Sequence, residues 1–119
     1  MKNDTLMKRV GYAMAGIRTA WRSEQSLRIH TWIACAVMVV MLLLRPPLIW
    51  WALVGGMIAL ILAMELLNTT VEHLADHLHP EEHPRIRLVK DCAAAAVLVL
   101  SLGAVWVGIL MVVAVVLGK

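Results

Sequence analysis

Four polar residues, Glu65, Asn68, Glu72 and Asp76, follow one another at spacings of three, four and four. At about 100° per residue this places them in one narrow sector of a helix. Leu66, Leu67, Val71, Leu74 and Ala75 take the other sides. Carboxylates with an intervening amide are hard oxygen donors suited to Mg²⁺, which one or two carboxylates commonly hold together with substrate phosphates. Glu65 lies farthest into an apolar run and is placed for general-base work. An acidic group inside a membrane costs about 2.5–3.5 kcal/mol on insertion scales, so it faces the protein interior or a wet cavity and carries function by default. Asp76, at the outer end of the stripe, also fits a solvated helix terminus.

The stripe needs a scaffold, and composition specifies its class. Of 119 residues, 61% are hydrophobic and 16% charged. So few charges cannot cover the surface of a soluble domain of this size, and the composition is neither that of a disordered chain nor of a disulfide scaffold. The length allows one domain. Cys35 and Cys92 lie in or beside apolar runs and read as small hydrophobes. A net charge of +3 is too small to indicate nucleic acid.

The apolar residues fall into three runs, expected to span the membrane over 29–44, 48–71 and 92–118. The first stops at Arg45-Pro46-Pro47, and Trp50 and Trp51 open the second where an aromatic belt belongs. Residues 1–28 hold six of the basic residues, and Val10, Met14, Ile17 and Trp21 stack on one helical face. This segment reads as an amphipathic interfacial helix and not a signal peptide, because its apolar residues are periodic rather than continuous. The expected architecture is therefore an all-α membrane protein, one surface helix plus three transmembrane helices, in a helical-bundle oligomer. Lys and Arg crowd the N-terminal segment and the 73–91 connection, which is read as a loop on the cytoplasmic side together with the N-terminus.

Lys90-Asp91 stands immediately before Cys92 and a run of four alanines. The lysine either neutralises phosphate charge or snorkels as an interfacial anchor, and the alanines permit close helix approach. His73 and His77 are i, i+4, but the rest of a zinc signature is missing.

The Glu65-x-x-Asn68-Thr69-x-x-Glu72-x-x-x-Asp76 pattern, the Lys90-Asp91 pair ahead of an Ala-rich span, and Glu24 ahead of Leu27-Arg28 resemble the prokaryotic diacylglycerol kinase family, which includes the undecaprenol kinases. The resemblance runs from about Gly11 into the third span. It implies an ATP- and Mg²⁺-dependent lipid kinase of the bacterial inner membrane, a homotrimer with sites shared between chains. It further implies that Glu65 is the catalytic base with Asn68 lining its site, and that Glu24 and Glu72 hold the metal carried by ATP. Tyr12, Glu81, Glu82, His83, Lys90 and Asp91 would contact the nucleotide, with Asp76 in support. Thr5 stands where many members have an arginine, with Lys8 and Arg9 close by. Gly16 to Trp21 looks like the diacylglycerol-phosphorylating members, and Leu27-Arg28-Ile29-His30 like the undecaprenol kinases; diacylglycerol is the acceptor expected first.

Two other classes compete. A small transporter would need polar residues through the depth of the spans, whereas the acids gather at one end and the third run has only Ser101 as a hydroxyl. A non-catalytic scaffold would use Gly103, Gly108 and the alanines for assembly alone, and would tolerate Glu65→Gln.

Overall fold

A computed structural model describes residues 1–119 as four helices: α1 (Leu6–Ser23), α2 (Gln25–Leu44), α3 (Leu48–Leu78) and α4 (Pro84–Val116). The all-helical architecture of one N-terminal helix and three membrane-length apolar helices is the one expected from composition. Thr5 caps α1, its hydroxyl accepting from the Lys8 amide at 3.4 Å, and so has a local structural use. The α1–α2 break falls at Glu24, in extended conformation. Arg28 fastens that junction by donating from Nη1 to the carbonyls of Trp21 and Arg22, and Trp21 meets Trp32 edge-on across it. At the far end of α2, Arg45 adopts the left-handed conformation (φ 51°, ψ 56°) and its amide closes on Met41 O. Pro46 and Pro47 then block helix continuation until α3 begins at Leu48.

Helicity extends beyond the apolar runs. α2 begins at Gln25 rather than 29, α3 continues to Leu78, and α4 begins at Pro84. The loop expected over 73–91 is therefore helical at both ends, with the chain reversing only over 79–83. The physical reason is that leaving the membrane does not end a helix. Residues 72–78 keep the period of α3, and Pro84 at the first turn, with His83 accepting from the Arg85 amide at 3.1 Å, starts α4 on the near side of the apolar run. At 1.5 Å per residue α3 is about 46 Å long, some 16 Å more than a hydrocarbon core.

α3 and α4 pack most extensively, α2 lies along α3, and α1 touches both α2 and α3. Met41, Val54 and Met111, one from each long helix, form the buried cluster at the end remote from the acidic stripe, with Trp50 and Trp51 half-buried against it. Only 11 of 119 residues are buried. The apolar faces of α2 and α4, and the Val10, Met14 and Ile17 face of α1, are left for lipid or neighbouring chains.

Candidate functional site

The stripe on α3 runs from inside to outside. Glu65 is 2% exposed, Asn68 and Glu72 are half-buried and Asp76 is exposed. Glu65 Oε1 accepts from Ser26 Oγ at 2.7 Å, and the ring of His30 lies against the same oxygen through Nδ1. Both partners are on α2, one helical turn apart. No hydrogen bond reaches Glu65 Oε2. One turn on, Thr69 donates back to Glu65 O at 3.0 Å, and Thr70 does the same to Leu66 O. These two threonines spend their hydroxyls on the α3 backbone. Asn68 Oδ1 is buried with no hydrogen-bond partner.

Glu24, between α1 and α2, faces this stripe. Its carboxylate makes no capping bond to α2. Its pKa is raised, chiefly by burial and next by the negative charge of Glu72, with Glu65 adding; His73 and Arg28 pull it the other way. The junction thus gathers three carboxylates, Glu24, Glu65 and Glu72, against the guanidinium of Arg28, beside an orphaned amide oxygen. That pattern fits a divalent ion held by Glu24 and Glu72 and completed by substrate oxygens. No three His, Cys, Asp or Glu side chains converge into a closed cage.

Beyond Asp76 the site opens into a polar cup of about 560 Å³ where α3 turns into α4. Glu81, Glu82, His83 and Lys90 line it, together with Asp76 and Arg87. Lys90 Nζ bonds to Asp76 Oδ1, tying α4 to α3. Asp91 diverges from its neighbour: it pairs with Arg87 at 3.2 Å, is largely exposed and lies outside the cup lining. Tyr12 also stands apart on α1, its hydroxyl donating to Asp4 Oδ2 at 2.8 Å. That bond to a carboxylate holds the phenol proton and raises the Tyr12 pKa. His79 and His83 meet edge-on at 5.5 Å within the turn.

On the other side of Glu65 lies an apolar cavity of about 320 Å³ between α2, α3 and α4. His30 and Ser101 are its polar residues. Sequence reasoning used His30 only within the Leu27–His30 block and did not single out Ser26. The available signal was their i, i+4 spacing at the polar start of α2, but a partner 39 residues away cannot be read from spacing.

A model of the prokaryotic diacylglycerol kinase family matches residues 11–112. The chain is 33% identical over 99 residues to the undecaprenol kinase of Bacillus subtilis, covering 83% of this chain and 80% of that protein. It is 37% identical over 98 residues to the diacylglycerol kinase of Synechocystis, covering 82% of this chain and 56% of that protein. To the diacylglycerol kinase of Haemophilus influenzae it is 30% identical over 107 residues, covering 88% of this chain and 91% of that protein.

Proposed function

Since the chain belongs to the prokaryotic diacylglycerol kinase family, we propose that it is a lipid kinase that moves the γ-phosphoryl group of ATP to the hydroxyl of a membrane alcohol, diacylglycerol first. The observation that carries the reading is the position of Glu65. It is a buried carboxylate with one oxygen held and the other unbonded, at the inner end of the polar stripe that leads to the cup, with His30 between it and an apolar cavity within the bundle.

In this mechanism the acceptor lies along the apolar side with its hydroxyl at Glu65 Oε2. Glu65 takes the hydroxyl proton as the alcohol oxygen bonds to the γ-phosphorus and the bond to ADP breaks, giving phosphatidic acid and ADP. Asn68 Oδ1, aimed inward without a partner, orients a donor on the substrates. Lys90 and the turn residues Glu81, Glu82 and His83 hold the nucleotide; Tyr12 and Asp91 lie outside the cup and would contact it only by exchanging their bonds to Asp4 and Arg87. Phosphoryl transfer asks chiefly for in-line placement and charge neutralisation. Glu24 and Glu72 would hold Mg²⁺, which supplies that neutralisation at the phosphates.

Undecaprenol is the second acceptor, favoured by the match to the Bacillus subtilis undecaprenol kinase and by the Leu27-Arg28-Ile29-His30 block. The basic N-terminal segment and the turn between α3 and α4 face the cytoplasm. The protein assembles as a homotrimer, supported by the small number of buried residues in one chain. The test is phosphorylation of diacylglycerol and of undecaprenol by the purified protein with Mg·ATP in mixed micelles. Faster turnover of diacylglycerol is expected, and activity on neither lipid overturns the reading.

A further inference from the structure

The Glu65 carboxylate meets two side chains of another helix, Ser26 and His30, at one and the same oxygen. We propose that Ser26 and His30 are the positioning residues of Glu65: together they fix Oε1 from α2 and so aim Oε2 at the acceptor hydroxyl. This inference rests on Glu65 being the base of the kinase reaction.

The hydrogen inventory supports it. Ser26 Oγ gives its single proton to Glu65 Oε1 at 2.7 Å. His30 Nδ1 is buried, has no aligned hydrogen-bond partner, and lies against that same oxygen. A carboxylate oxygen facing Nδ1 assigns the Nδ1–H tautomer to the ring, with its hydrogen lying off the line to Oε1. The other ring nitrogen, Nε2, lies 3.4 Å from Ser101 Oγ on α4, whose own hydroxyl bonds to Val97 O at 2.9 Å. The ring thus lies between Glu65 on α3 and Ser101 on α4, in contact with both. His30 also borders the apolar cavity, so it stands between Glu65 Oε1 and that cavity. A base held at one oxygen by fixed donors loses the freedom to rotate away from its substrate.

Four variants test this through kcat and KM for Mg·ATP: His30→Leu, His30→Gln, Ser26→Ala and Glu65→Gln. His30→Leu keeps bulk but removes the donor, and its kcat should fall about 10- to 100-fold, the range for removing a residue that orients a functional ligand or base. Its KM for Mg·ATP should stay within about twofold of the parent value, because no residue of α2 lines the polar cup assigned to the nucleotide. His30→Gln restores a donor and should recover most of the lost kcat. Ser26→Ala, at an exposed position, should lower kcat by about three- to tenfold. Two results overturn the proposal: His30→Leu at parental kcat beside an inactive Glu65→Gln, or His30→Gln no better than His30→Leu. If His30→Leu loses its thermal transition in detergent, Ser26→Ala decides alone, and parental kcat there overturns the proposal. An active Glu65→Gln removes the base reading itself, a failure distinct from the others.

Discussion

Lys90 and Asp76 make one ion pair, yet the account gives them different jobs, and a pair of substitutions separates these. The side chains are 31% and 63% exposed. An ion pair this wet contributes about 0.2–1 kcal/mol to stability. Lys90→Met and Asp76→Asn each break it, so both should cost the fold no more than about 1 kcal/mol. Lys90 also lines the polar cup, where the account has it meet a phosphate. A charge-assisted hydrogen bond is worth about 1.5–3 kcal/mol. At 1.4 kcal/mol per factor of ten, Lys90→Met should raise KM for ATP by roughly 10- to 100-fold. Asp76→Asn leaves the ammonium in place and removes a competitor, so KM should stay within about threefold of the parent value or fall. The assay is steady-state phosphorylation against ATP concentration, with thermal unfolding in detergent as the stability control. An equal rise in KM for both variants refutes the reasoning, because Lys90 would then act only through the bridge.

Tyr12 is the only tyrosine, so its ionisation can be followed by ultraviolet absorbance. Its raised pKa favours the protonated phenol in the folded state. The Asp4 bond therefore contributes stability below about pH 10, lost as pH rises through the raised value, and Asp4→Asn should move the midpoint back towards about 10. Arg45 pays for a left-handed backbone conformation (φ 51°) without the glycine that suits it. Arg45→Gly should stabilise the protein by about 0.5–1 kcal/mol in a detergent unfolding assay, and destabilisation would show that the arginine side chain holds the turn.

The number and order of helices were legible because three apolar runs and one 3.6-period basic segment are strong signals. So was the stripe, since its spacing alone puts Glu65, Asn68, Glu72 and Asp76 on one face. Helix ends were less legible. Residues 73–78 and 84–91 carry Asp76, Arg85, Arg87, Lys90 and Asp91 and fall outside the continuous apolar runs, which suggested a loop, although the His83-Pro84 start of α4 was available as a cap signal. The pairing of Asp91 with Arg87 rather than into the cup follows from its i, i+4 spacing on α4, a local preference that adjacency to Lys90 hid. The contacts of Ser26 and His30 with Glu65 were not legible at all, because they depend on the register of α2 against α3.

Whether Glu65 takes a proton from a lipid hydroxyl is decided by Glu65→Gln. The substitution keeps shape and one acceptor oxygen while removing the proton acceptor. ATP-dependent lipid phosphorylation should fall by about 10²- to 10⁴-fold, with nucleotide binding and thermal unfolding close to those of the parent protein. Turnover within about twofold of the parent protein would contradict the account, because no general base would then reside at this position.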